Sequence, residues 1–560
     1  MGRKFSVFHS LLVPSALLAA GLSWSPASRA QPVADGEPRT VPPPPPPSDQ
    51  AAGTAFESRL VLDTGRAPVK PPASDLLEFQ IHGEYQVRAY ALTDLPLAPF
   101  GLAPDSAHLG QTVRVLHWLR LTPRLDVGAK LAVVAQLDVP SGFFAGQETL
   151  HVDAADEPYD QRNPLRLAPR WLYLDWKSPI GLFRVGQQPS HWGMGIIAND
   201  GDHPRVFGDY RGGSRVERLL FATRPGGESS PFNVAVAGDL VFKDQNADLL
   251  DGERAWQGVV AAFYENRKED MVGLYGVYRH QTRDGANAPG FTEKLEVWGV
   301  DSSGRYSQKI PGDLGHVFGE YEVAYLFGST DFVRTVAQTS GNERERLSQL
   351  GAAARLGAVL TSGAGDERFG RFVSSLEWGY ASGDADPNDG TTRRFTFDPN
   401  HTVGLILFSE ALAWKTARAA SAAQDPRLVA RPNPGTDLLP SNGGVFGATY
   451  LNPTFIVRPV RQLDLKAGAV LAQTTADFVD PVRLGTTGQF RNYDGGSARS
   501  RDLGLELDLG VEYRLALEHG MTLQLGAQGG ALFPGGAFDD ASGNGLGTQY
   551  LGVGRLGLQY

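Results

Sequence analysis

Residues Asp502–Leu515 read DLGLELDLGVEYRL. Every odd position from Leu503 to Leu515 is apolar, and the even positions between them hold Gly504, Glu506, Asp508, Gly510, Glu512 and Arg514. Side chains of an extended strand alternate between its two faces, so this pattern sets an oily face against a charged one. The alternation returns over Met521–Phe533 and over Thr548–Tyr560, which ends on an aromatic residue. A wall that is apolar outside and water-facing inside is the pattern of a transmembrane β-barrel strand.

The same period extends back to residue 76. Over Leu77–Ala91, Phe79, Ile81, Tyr85 and Val87 share one face, and Glu78, Gln80, His82, Glu84 and Arg88 share the other. Further strands are predicted over 112–122, 124–138, 168–178, 180–188, 214–224, 231–243, 254–266, 269–281, 292–308, 313–328, 347–361, 368–382, 445–458, 461–475, 502–516, 520–533 and 548–560. These make about eighteen strands of an all-β, antiparallel, up-and-down transmembrane barrel. Connections after even-numbered strands are brief, as at Pro123, Ser178-Pro179 and Pro459-Val460. Those after odd-numbered strands are long, as at 139–167, 189–213 and 383–444. Short turns at one end and long extracellular loops at the other are the habit of bacterial outer-membrane barrels. A soluble multi-sheet protein is the alternative. Trp118, Trp171, Trp176, Tyr275, Tyr278, Tyr325, Trp378, Tyr380 and Tyr450 are expected near strand ends, where amphipathic rings favour the membrane interface.

The chain has 560 residues, 67 Gly, 38 Pro and no Cys, which excludes disulfides and thiolate metal sites. Arg3 and Lys4, an apolar run to Trp24 and Ser28-Arg29-Ala30 read as a cleavable signal peptide over 1–30. Its loss removes three basic and no acidic residues from a chain already at −10, and an acidic exported protein is a poor nucleic-acid binder. Residues 31–75, with prolines 42 to 47 in one run, read as a Pro-rich periplasmic linker, extended and without a core. Residues 76–560 are the barrel, in the bacterial outer membrane.

Parity aims Glu84, Arg88, Arg114, Arg120, Asp126, Lys130, Asp138, Arg184, Glu320, Glu322, Glu377, Glu506, Asp508, Glu512 and Arg514 into the lumen. Basic residues dominate the early strands and acidic ones the late strands, so a transverse field that selects solutes is one expectation. Plain water-facing polarity is the other. In loop 189–213, His191 and Trp192 are expected either to pack the rim or to fold inward as a constriction. His191 lacks a second His at metal-ligand spacing, since His203 stands twelve residues on. Asp384, Asp386, Asn388 and Asp389 offer oxygens at the near-alternate spacing of a calcium loop, and Asp244, Asn246, Asp248 and Asp251 make a similar cluster. Their bland reading is a solvated turn. Residues Leu405–Ala423 are Ala-rich, without Gly or Pro, and read as a helix that caps the mouth, enters the lumen or packs on the surface. Phosphate-binding, dinucleotide, nucleophile-elbow and zinc-protease motifs are all missing from the sequence, so no enzyme is expected.

Four stretches carry a family likeness. Gly181–Ile196 (GLFRVGQQPSHWGMGI) resembles an uncharacterised myxobacterial outer-membrane β-barrel family. Tyr380–Pro399 (YASGDADPNDGTTRRFTFDP), Leu503–Arg514 (LGLELDLGVEYR) and Ala531–Phe538 (ALFPGGAF) are similar to the alginate-export porin family. That resemblance implies an eighteen-stranded barrel. The expected function is a porin-like channel for diffusion or export of a hydrophilic solute, anionic or polysaccharide in kind. The alternative is a structural or adhesion barrel serving an envelope or motility complex. No cofactor is expected beyond calcium in the loops. Expected partners are outer-membrane lipids and lipopolysaccharide, a periplasmic partner through 31–75, and the barrel-assembly machinery, which would read the terminal aromatic Tyr560.

Overall fold

The structure is a computed structural model and describes residues 77–97, 108–109, 113–146, 168–208, 212–227, 229–266, 270–284, 292–332, 344–363, 369–387, 389–424 and 440–560. The expected signal peptide and Pro-rich linker, 1–75, lie outside these residues.

Eighteen strands form the wall. They are β1 Leu77–Leu92, β2 Val113–Val127, β3 Leu131–Gly146, β4 Ala168–Ser178, β5 Gly181–Pro189, β6 Arg215–Thr223, β7 Phe232–Lys243, β8 Arg254–Glu265, β9 Met271–Asp284, β10 Thr292–Ile310, β11 Gly315–Thr330, β12 Glu345–Ser362, β13 Phe369–Ala381, β14 Ala448–Val460, β15 Leu463–Thr474, β16 Asp502–Ala516, β17 Thr522–Pro534 and β18 Gln549–Gln559. Each pairs with the next, and β1 pairs antiparallel with β18, so the ring is closed. Gly83 and Tyr560 exchange two backbone hydrogen bonds of 3.0 and 2.9 Å at that seam. Closure leaves no open edge, which a sheet in hydrocarbon requires. A two-residue strand, Thr391–Thr392, lies outside the ring and pairs parallel with Arg346–Leu347.

The period-two pattern is realised in space. In β16, Leu507, Leu509, Val511, Tyr513 and Leu515 are exposed on the outside, while Glu506 and Asp508 are buried within. Exposed aromatics gather towards both ends of the wall: Trp176, Tyr264, Tyr306, Tyr513 and Tyr560 near the short turns, and Trp256, Trp298, Tyr325, Trp378 and Tyr550 near the long loops. An apolar band between two aromatic girdles is the architecture of an outer-membrane β-barrel. Of the aromatics expected there, Trp171, Tyr275 and Tyr450 are instead buried inside. Trp118 also points inward, between the guanidinium groups of Arg88 and Arg120, 5.3 and 5.2 Å from its ring centre.

Other corrections have local causes. β2 does not stop at Pro123 but runs to Val127, and the turn is Gly128–Lys130. β14 likewise carries Pro459 within its last turn of pairing and ends at Val460. Proline has no N–H for the ladder. Each proline sits where pairs are missing from one neighbouring ladder: Leu121 pairs with Leu137 and the next pair is Arg124 with Val134 in unchanged register, while Val457 pairs with Leu465 and the next, after a shift, is Val460 with Leu463. Leu503 was expected to face lipid and is fully buried inside. A register shift sets Ala472 opposite Gly504 but Gln473 opposite Asp502. Gly504, at φ 101°, supplies the left-handed backbone for that extra residue.

Candidate functional site

The lumen wall is a lattice of neutralised charge. Arg184 makes a fork with Asp175 at 2.6 and 2.8 Å, and Arg218 does so with Asp239 at 2.7 and 2.8 Å. Arg120 pairs with Asp138 at 2.8 Å, Arg355 with Glu320 at 2.6 Å, and Arg514 with Asp464 at 2.6 Å. Lys466 reaches Glu512 at 2.8 Å, and Arg514 also reaches Glu512 at 2.8 Å. Parallel N–H···O pairs of this kind are strong and directional. Each of these cations stands beside a carboxylate of its own or an adjacent strand, whereas Arg88 faces Arg555 across the β1–β18 seam. Glu84 is buried inward and accepts from Gln86. Lys130, expected in the lumen, stands exposed in the Gly128–Lys130 turn, because the β2–β3 turn lies later than Pro123.

Two long connections fold into this lattice from the long-loop end. The first runs from Ser190 to Ser214. Trp192 is fully buried, donates its indole N–H to Asp301 on β10 at 2.7 Å, and stacks obliquely on Tyr275 at 5.1 Å. Its ring lies over Gly273, where an added Cβ would stand 2.9 Å from it. Phe207 is seated on Gly468 in the same way, at 2.7 Å. The Ile196 amide donates to Glu322 on β11 at 3.3 Å. Asp202 accepts from Arg120 and, at 2.7 Å, from Arg170.

The second connection runs from Ser382 to Gly447 and carries the expected helix, neither on the rim nor on the surface. It begins as a wide π-type turn, Leu407–Leu412, and continues as α1, Ala413–Gln424. Glu506 on β16 accepts the amides of Leu405, Ile406 at 2.8 Å and Leu407 at 2.7 Å. These N–H groups have no partner within the helix, so a carboxylate there satisfies both hydrogen bonding and the helix dipole. Asp508 is buried beside Glu506. Arg114 on β2 pairs with Glu410, which also accepts the Trp414 indole N–H at 2.9 Å. Leu407, Phe408, Leu412 and Trp414 pack with inward-facing Leu116, Val470, Leu503 and Leu532 in one apolar core. A large part of the outer lumen is therefore dry.

The loops meet each other and the wall beside Glu377 on β13. Arg205 pairs with Glu377 at 2.9 Å, while the His401 ring stands 3.0 Å from the same carboxylate and Tyr450 donates to it at 2.7 Å. The Asp398 amide donates to Ile196 O at 2.8 Å, and Ser214 Oγ donates to the Asp398 carboxyl at 3.2 Å. Burial pushes the Asp398 carboxyl up to about 7. Burial, reinforced by Arg205, lowers His401 from its ordinary value. A cavity of about 20 Å³ opens beside Arg205, Glu377, Arg355 and Thr402. Nearer the long-loop end, a larger cavity of about 230 Å³ is lined by Asn246, Gln257 and Gln349 together with Leu295, Val297 and Leu347.

Among the described residues of the acidic loop, the Asp384 and Asp389 carboxylates bind groups of the loop itself. Asp384 accepts from the Asp386 and Arg393 amides at 3.1 and 2.9 Å, and Asp389 from the Thr391 amide at 2.9 Å and Arg393 Nη1 at 2.7 Å. Asn388 lies outside the described residues. In the second cluster, Asp244 pairs with Arg279 and Asp248 caps the short turn at Leu250. The loop 190–214 does bring together a set that spacing concealed. His203 stands with His191 and Asp200, their ligand atoms all within 4.8 Å of one another. Burial lowers His191 to about 4. The signal available was compositional: two His and three Asp within one Gly-rich loop.

No known protein family and no curated protein matches the chain. Among solved structures it is similar to OccAB1 of Acinetobacter baumannii, at 9% identity over 86% of this chain and 96% of that one, with a TM-score of 0.44. The outer membrane protein OprD of Pseudomonas aeruginosa is similar at 9% identity over 86% and 94%, with a TM-score of 0.44. The outer membrane protein OpdK of the same organism gives 9%, 86%, 99% and 0.42 in the same order.

Proposed function

We propose that this barrel is an outer-membrane channel for small hydrophilic solutes, with a passage narrowed by two loops folded into its lumen. The observation that carries the reading is how those loops are held. Glu506 holds the second loop through three backbone amides, Glu322 and Asp301 hold the first through the Ile196 amide and the Trp192 indole, and Arg205 of the first loop pairs with Glu377 on β13. Contacts of this number and kind let a loop shift without unfolding the wall, which is what a gate requires.

The cavity lining supports a polyhydroxylated solute of about the size of a small sugar. Amide side chains such as Gln257 and Asn246 suit hydroxyl groups, and the Leu295–Val297 strip suits the C–H face of a sugar ring. A purely anionic solute is supported less, because Arg279 at this cavity is already paired with Asp244. The likeness to alginate-export porins supports the carbohydrate class. A polymer would further require the Arg205–Glu377 junction to part. Swelling of liposomes that contain the purified barrel tests this reading. Neutral mono- and disaccharides should enter faster than charged solutes of equal size. Equal, carrier-free rates for every solute would remove it, and would favour the structural or adhesion barrel, for which the dry outer core is the supporting feature.

A further inference from the structure

We propose that His191, Asp200 and His203 form a binding site for a divalent transition-metal cation of the zinc class, which staples the infolded loop 190–214 to itself. His203 Nδ1 stands 3.0 Å and His191 Nδ1 3.6 Å from the same oxygen, Asp200 Oδ1. A tetrahedral ion with ligand bonds of about 2.0–2.1 Å places its ligand atoms roughly 3.3–3.4 Å apart. These two distances bracket that edge, and the third, between the two imidazoles, lies within 4.8 Å, so the rings, whose centres are 4.5 Å apart, close towards each other when an ion binds.

A second observation points the same way. His191 is 6% exposed, and neither of its ring nitrogens makes a hydrogen bond. A buried polar atom without a partner costs roughly 1–3 kcal/mol. A cation bound between His191 and Asp200 would give it one.

The frame around the cluster is preorganised. Trp192 N donates to Ala198 O at 3.1 Å and Ser214 N to Asn199 O at 2.7 Å. The Asp202 amide holds Asp200 Oδ1 at 3.0 Å, and Arg170 holds the Asp200 carbonyl. Arg205, whose charge acts on His191, is countered by Glu377 at 2.9 Å, and Arg120 and Arg170 are countered by Asp138 and Asp202, so each neighbouring cation has its own carboxylate. The His203 side chain retains 17% exposure, which gives the ion an entry from the lumen. Two imidazoles and one carboxylate favour borderline metals over calcium or magnesium, which take oxygen ligands. Three protein ligands leave a fourth position for water.

The experiment is calorimetric titration of tag-free, folded barrel with Zn²⁺, together with the visible spectrum of its Co²⁺ form. One Zn²⁺ per chain and a tetrahedral Co²⁺ spectrum are expected. Affinity should fall at least about tenfold in His191→Gln and in His203→Gln, and should stay unchanged in His108→Gln, an exposed position outside the loop. Heat-modifiable gel migration verifies that each variant is folded. His203→Asn is a second, milder variant should His191→Gln fail to fold. Zn²⁺ should also slow hydrogen exchange across 190–214 in the unaltered chain. Absence of binding to the unaltered chain, or binding that every folded variant retains, would overturn the proposal.

Discussion

The Trp192 indole donates to the Asp301 carboxylate across 2.7 Å, and so ties a loop to β10 from inside the barrel. The ring reaches that carboxylate because Gly273 leaves the wall notched beneath it. Gly273→Leu should expel Trp192. Trp192→Ala should cost about 3–5 kcal/mol of loop docking, as for other buried aromatics. Hydrogen exchange across 190–214 should accelerate in both variants while the wall amides hold their protection. Unchanged exchange in the loop would mean that the tryptophan does not anchor it.

The Arg218–Asp239 fork is buried in the wall. Removing one partner strands a buried charge, so Arg218→Ala should destabilise the barrel by about 3–5 kcal/mol. Replacing both residues with apolar ones of similar volume should recover most of that loss. Urea unfolding from detergent micelles or lipid vesicles reads both values. Equal losses in the single and double variants would contradict the pairing.

Loop docking should depend on pH through Asp398, which joins Ile196 and Ser214 of the first loop to the second. In an undocked loop its carboxyl returns to near 3.8, whereas docked it titrates at about 7, raised by burial and by Asp244. Between those values the docked form holds a proton that the undocked form lacks. Docking therefore weakens as pH rises towards and through 7 and is constant above it. His401 acts in the opposite sense below 6.5, since its docked form is lowered. Above the range of His401, the test window is from about pH 6.5 to about pH 8. Exchange at the Ser214 and Asn400 amides should be faster at the upper end, and Asp398→Asn should abolish the difference. A slope that survives in that variant would assign it to another group.

Arg205 pairs with Glu377 beside a small lumen cavity. In Arg205→Ala the carboxylate keeps Arg355, Tyr450 and His401 as neighbours but loses its closest cation. Conductance should rise and reversal potentials should shift towards cation preference. A shift towards anions would place the ion path elsewhere.

The wall was legible because lipid outside and water inside impose a period of two, and because turn lengths alternate with strand direction. Its errors fall where that period is broken for a physical reason. Pro123 and Pro459 look like turns but occupy skipped pairs of the ladder, and Gly504 turns Leu503 inward. The inward charges were readable one by one but their partners were not, since pairing depends on register. The plug was the least legible part. Apart from the Ala-rich helix, which was readable, its backbone is irregular, and its contacts join distant positions, such as Glu506 with Leu405 and Trp192 with Asp301. His191 and His203 meet because Gly193, Gly195 and Gly201, all at positive φ, fold the loop back on itself.

Single-channel recording in planar bilayers should compare the intact chain with one in which Leu405–Gln424 is replaced by a short Gly-Ser linker. The intact barrel should give small, infrequent conductance steps, and the variant large, long-lived steps once the helix that Glu506 and Arg114 hold in the lumen is gone. A variant that is folded, inserted and as silent as the intact chain would contradict a channel narrowed by that helix.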